Sequence, residues 1–553
     1  MKKKALALVT AAIMTATLLA GCAGKSNGSN DKKNDGTKKE QKLVLREGAL
    51  KTLDSVLATD TVSFDVIQNS QETLLVSNND VPEAGAAEKW EVSEDGLTWT
   101  FKLRDLNWSD GKPVTAKDFE FAWKRLLDPN TGAFYSFFLF PVKNAEKYSN
   151  GEAKADEVGI KATDDKTLVV TLDRAVPYFE QIVAFPGLAP QREDIVTVEG
   201  SEYGTDPAKL VYSGPFVVEQ WQKGAKVVLK KNEKYYNAAN IKLEKAELLQ
   251  IDEIKTAYDQ FKAGKLDVTS ATGEYLEQLT KDAKAGKYNL VEGVEPSSFY
   301  MVFNTEGKDN KALTNAKVRL AFSLVLDREE YVGSVYKRGV AAYGMVPKGL
   351  LVGDDEFRAK VEEPLKALLD QYKDPKALLI EGLKEAGLDA DPSKHTFRYL
   401  PQNSDAETKK YSEYFQNVWQ TKLGVKVEIQ PAADFSDYLT KVQSQQFDIA
   451  MSGWGADYND PMTFLDLFGK DNGNNNGKYY NEQYEQLLVK VQNEIDNAKR
   501  TEIFAQMEKL IIEDAAIAPL FYRDKKSFQQ KHVKGVQLPS FGGTYQLRWA
   551  YVE

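Results

Sequence analysis

The chain has 553 residues, is 42% hydrophobic and 28% charged, and carries a formal charge of −10. Its 26 Phe, 26 Tyr and 8 Trp exclude disorder for most of its length, because so many aromatic side chains need a buried core. One cysteine excludes an internal disulfide, and two histidines argue against a metal site built from imidazoles. The acidic balance argues against a protein that coats nucleic acid.

Residues 1–21 have the pattern of an export signal. Three lysines precede residues 5–20, which are uncharged and shorter than the roughly 20 residues of a membrane-spanning helix. The stretch ends in Leu19-Ala20-Gly21-Cys22, which resembles the bacterial lipoprotein cleavage box. The resemblance implies a mature chain that begins at Cys22 and carries a diacylglyceryl anchor there, since two acyl chains hold a protein durably on a membrane. The alternative is a secreted protein with a cysteine at this place by chance.

The segment that follows the signal predicts a flexible tether over residues 22–41. Residues 23–41 contain no apolar side chain larger than Ala and are rich in Gly, Ser, Asn and Lys. Loss of the three lysines of the signal changes the formal charge to −13. No second long apolar run follows, so we expect a soluble, exported and tethered body.

From residue 42 onward the patterns predict a mixture of strands and helices. Apolar runs or alternation predict strands at Leu43–Leu45, Leu97–Leu103, Thr167–Leu172, Val227–Leu229, Leu248–Ile251, Leu266–Val268 and Val425–Ile429. Helices are predicted from the N-cap Thr115 to Leu127, over Ala257–Ala263, over Ala316–Tyr336, and over Thr408–Leu423 with Gly424 as its stop. There is no fixed-period repeat and no strict βαβ alternation, so the pattern alone predicts a multi-domain α/β protein without a function.

Motifs for catalysis are weak. Gly24-Lys25-Ser26-Asn27-Gly28 matches the nucleophile-elbow pattern but lies in the tether, where no strand and helix hold the serine. His395 and His532 are far apart in sequence and have no metal-ligand pattern around them. A Ser-His-Asp arrangement that only the fold assembles stays open.

Three segments are informative together: residues 108–119 (WSDGKPVTAKDF) with 122–125 (AWKR), residues 261–267 (FKAGKLD) and residues 453–461 (GWGADYNDP). They closely resemble the oligopeptide-binding family, the extracellular solute-binding proteins of peptide ABC importers. Their order and spacing match from about Leu43 to the C-terminus, so the resemblance covers nearly all of the mature chain.

The resemblance implies an α/β fold of the type II periplasmic-binding-protein class, a two-lobed clamp of three domains with its ligand in the interlobe cleft. Domain I would comprise residues 42–71, 192–296 and 525–553. Domain II would be 72–191 and domain III 297–524. The WSDGKPVTAKDF segment would then be scaffold of domain II and no part of the site.

The resemblance also implies a ligand site centred on Asp457, whose carboxylate would pair with the free α-ammonium of a peptide in a water-poor cleft. Gly453, Trp454, Gly455 and Tyr458 belong to the same loop, and the two glycines would let its backbone approach the ligand. Main-chain pairing with the peptide is expected at Thr59-Asp60-Thr61 and around Met451. Further aromatic residues mapped to the cleft are Tyr135, Tyr300, Phe435 and Tyr522.

Two departures from the family pattern concern the carboxyl end of the peptide. Some relatives fix this end with basic residues, where this chain has Met451 and Val442. A length-selective grip is therefore not expected, and longer or more apolar peptides fit. Relatives often have cysteine where this chain has Gly455.

The resemblance therefore implies a lipid-anchored binding protein and not an enzyme. It would capture oligopeptides at the extracellular face of a cytoplasmic membrane, as a monomer, and deliver them to the permease subunits of an ABC importer. No cofactor, metal or nucleic acid is expected. The alternatives are the same fold binding a peptide pheromone, an oligosaccharide, haem or a nickel complex, and, from another class, an exported hydrolase.

Overall fold

The computed structural model describes residues 39–433 and 435–553. Their strands are β1 Lys42–Glu47, β2 Leu75–Asn78, β3 Val81–Ala84, β4 Ala87–Val92, β5 Thr98–Leu103, β6 Ile160–Asp164, β7 Thr167–Thr171, β8 Phe216–Gln222, β9 Lys226–Lys231, β10 Lys245–Gln250, β11 Val268–Thr269, β12 Asn289–Phe303, β13 Val340–Ala341, β14 Leu351–Val352, β15 Asp355–Glu356, β16 Thr396–Leu400, β17 Lys426–Ile429, β18 Ile449–Gly455, β19 Ile517–Gln529, β20 Val533–Lys534 and β21 Tyr551–Val552. Their α-helices are α1 Thr61–Ser70, α2 Ala116–Leu127, α3 Ala145–Ser149, α4 Phe179–Val183, α5 Glu193–Glu199, α6 Ile254–Lys262, α7 Gly273–Lys284, α8 Ala316–Leu324, α9 Arg328–Glu330, α10 Phe357–Lys360, α11 Leu365–Gln371, α12 Pro375–Glu385, α13 Ala406–Leu423, α14 Phe435–Gln443, α15 Met462–Leu465, α16 Glu482–Gln492 and α17 Asn497–Glu513. In this part of the chain no helix combines the length and the apolar character that crossing a membrane requires. The predicted signal and Cys22 lie outside the described residues.

The largest sheet has eleven strands, in the order β17-β16-β18-β12-β19-β11-β1-β10-β9-β8, with β13 paired to β19. One half of it is formed by β1 together with β8 to β11. The other half is formed by β16 to β18. The two long antiparallel strands β12 and β19 run through both halves and join them.

The pairing of β12 with β19 is interrupted at one place. Val294 pairs with Asp524 and Ser298 with Tyr522, so three residues of β12 lie opposite one residue of β19. Such a bulge bends a strand pair and weakens its ladder locally. The bulge coincides with the boundaries 296/297 and 524/525 expected between domains I and III.

Residues 72–191 contain a separate four-stranded antiparallel sheet, β4-β5-β7-β6, against which α2 packs. In β5, Trp99, Phe101 and Leu103 are buried and alternate with less buried residues, which confirms the alternating strand predicted there. The predicted start of α2 is also confirmed, since the Asp118 carboxylate accepts the Thr115 backbone N–H at 2.7 Å.

The helix predicted over Ala316–Tyr336 is wrong as one continuous element. Helix α8 ends at Leu324, and the chain then turns before α9 and a π-helical turn at Tyr331–Tyr336. Asp327 caps the second segment by accepting the Glu330 N–H at 2.9 Å. The buried Arg328 donates to the carbonyls of Ser323 and Leu326, which lie at and just beyond the end of α8. The buried guanidinium of Arg328 thus binds backbone carbonyls where the helix is interrupted. Helical periodicity alone does not predict this interruption.

The buried apolar residues form several clusters. One fills the half of the large sheet around β1, β8, β9 and β10, and another the half around β16 to β18. A third cluster contains most of the buried residues of 72–191 together with residues between 300 and 517. The segment 72–191 therefore packs directly against the later part of the chain, and the candidate site lies beside this contact.

Candidate functional site

The described part of the chain contains a cavity of about 750 Å³, within the size range of small-ligand sites. Its lining comes from residues 59–64, 270–276, 336–339, 455–457, 523–527 and 538–545, together with Tyr135, Phe185 and Glu295. The bulge between β12 and β19 contributes Glu295 and Arg523, which form an ion pair at 3.1 Å. Segments far apart in sequence thus meet around one space.

Asp457 is placed at this cavity by the loop that follows β18. Its backbone N–H donates to Thr463 Oγ1 at 3.1 Å. Farther along the loop, the buried Asp460 accepts the Met462 N–H at 3.0 Å and pairs with the buried Arg500 at 2.8 Å. The ion pair between Asp460 and Arg500 therefore fixes the loop, and Asp457 of the same loop lines the cavity.

The Asp457 carboxylate has no hydrogen-bond or ion-pair partner within residues 39–433 and 435–553. Burial raises its pKa to about 7, and no neighbouring cation offsets the effect. A carboxylate in a poorly solvated site without a counter-charge is costly. The site therefore has a strong electrostatic preference for a cationic ligand group.

Tyr135 lies close to this carboxylate. Burial, with the negative charges of Asp457 and Asp60, raises the pKa of its hydroxyl to about 12. Asp60 itself is used locally, because its carboxylate caps α1 by accepting the N–H and hydroxyl of Ser63 at 3.1 and 2.9 Å. Of the predicted segment 59–61, Thr59 and Thr61 line the cavity, whereas the side chain of Asp60 serves the helix.

One edge of β18 has no partner strand beyond residue 450 among the described residues. On one side β18 pairs with β12 from Ile449 to Gly455. On the other side β16 pairs only as far as Ala450, and no described strand continues the ladder from Met451 onward. The Met451 carbonyl accepts the Tyr438 hydroxyl at 2.6 Å. A free edge of this kind can accept an extended peptide by main-chain pairing.

Gly453 and Gly455 are glycines for different reasons. A Cβ on Gly453 would lie 2.6 Å from ring atoms of Phe299, whereas a Cβ on Gly455, which lines the cavity, would meet nothing within 4 Å. Phe299 has little freedom to move, because it stacks on Phe521 at 4.7 Å between ring centroids and Arg523 lies over it at 4.4 Å. Packing therefore explains Gly453, and close approach to a ligand remains a reason for Gly455 alone.

We expect Gly453→Ala to destabilise the protein by about 1–3 kcal/mol, the usual cost of inserting a methyl group into a packed site. The matched variant Gly455→Ala should change the free energy of unfolding by less than about 0.5 kcal/mol. Neither glycine has a positive φ, so strain does not enter the comparison. Urea unfolding checks both values, and equal destabilisation by the two variants would contradict this explanation.

Other residues predicted for the site lie away from the cavity lining. Tyr300 is buried and faces Phe468 and Ser452, and Phe435 is 58% exposed on α14, where it stacks on Tyr438. The Tyr522 hydroxyl donates to the Gly344 carbonyl and to Glu363 at 2.9 and 3.0 Å.

The remaining two predicted residues pack beside the cavity. Trp454 is half-buried, and its indole N–H has no partner in the described part of the chain. Tyr458 stacks on Tyr178 of the segment 72–191, with ring centroids 4.7 Å apart. It therefore holds the Asp457 loop against the segment 72–191.

Several lining residues were missed from the sequence. The aromatic residues Phe64, Phe185 and Phe541 carry no motif, because apolar rings look alike in core and cleft. The run Arg523-Asp524-Lys525-Lys526 is a charge cluster at a predicted domain boundary. This signal could have indicated that these residues line the cavity.

Comparison with known proteins agrees with this architecture. Residues 81–476 match the model of the bacterial extracellular solute-binding proteins, family 5. The chain is 34% identical to the oligopeptide-binding protein OppA of Bacillus subtilis, with 99% of each chain covered. Two solved structures align with 93% of this chain and 99% of theirs. They are the substrate-binding domain of an oligopeptide ABC transporter from Bacillus anthracis, at 33% identity and a TM-score of 0.71, and Listeria monocytogenes OppA bound to peptide, at 31% and 0.70.

The fold is the type II periplasmic-binding fold, which confirms the predicted fold class. The chain belongs to family 5 of the bacterial extracellular solute-binding proteins, as the motifs indicated. These three relatives are named as binding proteins or transporter components and not as enzymes.

Proposed function

We propose that this protein is a lipid-anchored receptor that captures oligopeptides by their free amino end and delivers them to the permease of an ABC importer. The observation that carries the proposal is the Asp457 carboxylate, which faces the cavity without a partner among the described residues. A receptor for peptides of many sequences can rely on the α-ammonium and the backbone amides alone. The ammonium supplies the counter-charge that Asp457 lacks.

The open edge of β18 supports the same ligand class. An extended peptide would pair with the main chain from Met451 onward, and such bonds are independent of side-chain identity. Side chains would then point alternately to the two faces of the peptide. Roomy and partly wet pockets accept varied side chains, because water completes unmet hydrogen bonds.

The distribution of charge around the cavity supports one orientation of the ligand. Beside Asp457, the lining contains four cations, Arg338, Arg523, Lys525 and Lys526, and two anions, Glu295 and Asp524. None of these cations forms an ion pair with Asp457 in the described part of the chain, and Arg523 and Lys526 pair with Glu295 and Asp524 instead. The amino end of a peptide would therefore lie at Asp457 and its carboxyl end would point toward the basic part of the cavity.

We infer that the strand pair β12 and β19 acts as the hinge between a lobe of domains I and II and a lobe of domain III, which begins at residue 297 and ends at residue 524. The bulge at Val294 and Ser298 supports bending at this place. Closure around a ligand would produce the form that the permease recognises. We propose that the receptor works as a monomer at the extracellular face of the membrane.

Mass spectrometry of what co-purifies with the protein, followed by titration with the peptides found, tests this function. Recovery of peptides with free amino ends is the expected result. Recovery of an oligosaccharide, haem or a nickel complex would contradict it, and cleavage of the added peptides would indicate a hydrolase. Within residues 39–433 and 435–553 there is no cluster of His, Cys, Asp and Glu suited to a metal ion.

The proposed anchor rests on Cys22, which is outside the described residues. Cys22→Ser removes the thiol that would be acylated, so we expect the variant to appear in the culture medium while the wild-type protein stays with the membrane fraction. Fractionation and immunoblotting measure the distribution. Equal membrane retention of both proteins would contradict lipidation at this residue.

A further inference from the structure

The part of the cavity around Asp457 is built from aromatic rings. Phe64, Tyr135, Phe185 and Phe541 all line the cavity together with this carboxylate. Phe185 and Phe541 also line, again with Asp457, a second cavity of about 50 Å³. Two of the rings therefore separate the two spaces at the place where the carboxylate lies.

The rings form a packed wall. The ring centroid of Phe185 lies 4.9 Å from that of Phe64 and 5.0 Å from that of Tyr135. Phe64 and Phe185 are 3% and 7% exposed. Because Phe64, Tyr135 and Phe185 hold one another in place, this part of the wall exists before a ligand arrives, and a ligand gains its contact without ordering these side chains.

Phe541 is brought to the wall by the C-terminal segment. The next residue, Gly542, has a φ of 79°, and a Cβ there would lie 3.0 Å from Pro186 Cγ. The backbone of Gly542 thus packs closely against Pro186, the residue that follows Phe185. Phe541 is only partly buried in the cluster around it, so its ring presents surface to the cavity.

Two of the cations that line the cavity are paired with neighbouring carboxylates. Burial alone raises the pKa of Asp457, and the cations Arg523 and Lys526 are paired with Glu295 and Asp524. The first side chain of a peptide branches from the carbon that carries the α-ammonium. If Asp457 holds the ammonium, this side chain must lie within reach of the rings.

We propose that Phe64, Tyr135, Phe185 and Phe541 form a pocket for the first side chain and select peptides that begin with an aromatic or a large aliphatic residue. This inference rests on the proposed function and names its substrate class more narrowly. Burying such a side chain against the rings is favourable, whereas a carboxylate there would lose its hydration beside Asp457 without gaining a partner.

Calorimetric titration of one peptide series tests the pocket. The peptides share length and sequence and carry Phe, Leu, Gly or Asp at the first position, and a second series carries the same residues at the fourth. We expect Phe and Leu at the first position to bind at least tenfold more tightly than Gly, and Asp more weakly than Gly. The same exchanges at the fourth position should change affinity less than threefold.

The variant Phe541→Ala and the control Tyr336→Ala locate the effect, since both remove a half-buried aromatic side chain from the cavity lining. Phe541→Ala should reduce the preference for Phe over Gly at the first position by about tenfold. Tyr336→Ala should leave the preference unchanged. If a variant does not fold, the affinities of the wild-type protein for the two peptide series still test the pocket.

The outcomes separate the pocket from the function on which it rests. Equal affinity for all first residues, with binding still lost on N-acetylation, would overturn the pocket and leave the proposed function standing. Binding that ignores N-acetylation, or no binding of any peptide, would overturn both. A preference that persists in Phe541→Ala and disappears in Tyr336→Ala would overturn the placement of the pocket at the aromatic wall.

Discussion

Asp457→Asn is expected to weaken binding of a free-amine peptide by about 2–5 kcal/mol, which corresponds to an increase of the dissociation constant by a factor of about 30 to several thousand. The substitution keeps the shape of the side chain and removes the charge that would oppose the ligand ammonium. The loss should lie mainly in a faster dissociation rate. Calorimetry and stopped-flow kinetics with one peptide measure both quantities.

Asp524→Asn is the matched control, because Asp524 is a carboxylate of the same cavity that already pairs with Lys526. We expect it to change affinity by less than about 1 kcal/mol. N-acetylation of the peptide should weaken wild-type binding about as much as Asp457→Asn does and add little in that variant. If acetylated and free peptides bind the wild type equally, Asp457 is not the amine anchor.

Peptide affinity is expected to fall by up to tenfold for each pH unit below about 7. The pKa of Asp457 without ligand is about 7, since burial disfavours its charged form. A bound ammonium favours the charged form and lowers this pKa, so binding below pH 7 must expel a proton. Above about pH 8 the peptide amine itself loses its proton, and the affinity falls again. The optimum should therefore lie between about pH 7 and pH 8.

Calorimetry at pH 6 in two buffers of different ionisation enthalpy measures the number of protons released, and we expect a value approaching one per peptide. Asp466 requires a control, since burial and the charge of Asp457 also raise its pKa to about 7. Asp457→Asn should abolish the proton release, whereas Asp466→Asn should retain most of it. The reverse result would assign the pH dependence to Asp466.

Local sequence signals were good guides to single elements. The alternation in β5 and the capping pair Thr115 and Asp118 are confirmed, as is the end of α13 at Gly424, which has a φ of 81°. Each of these depends on residues within a few positions of one another. The break after α8 depends on Arg328 and its burial, which arise from contacts with β19, and for this reason helical periodicity did not predict it.

Some residues of the candidate site were predicted correctly and others were not, because the second group depends on contacts with distant parts of the chain. The loop of Asp457 was recognisable as a motif. The position of Tyr522 suggested a cleft residue, yet its hydroxyl is engaged by Gly344 and Glu363. The motif suggested ligand approach as the reason for Gly453, and the structure assigns it to the ring of Phe299. Both differences come from partners that are distant in the chain.

Short-range periodicity, capping and contiguous motifs in the amino-acid sequence sufficed for the export signal pattern and the mixed α/β character of the chain. The expected class of fold and the loop that carries Asp457 came from the resemblance of three motifs to a known family. The sequence could not single out one carboxylate among 82 acidic residues by its electrostatic state. Only the tertiary structure decided that Asp60 caps a helix and Asp460 meets Arg500, while Asp457 faces a cavity and has no ion-pair partner among the described residues. Charge pairing depends on which distant segments fold together, and that is a property of the assembled chain.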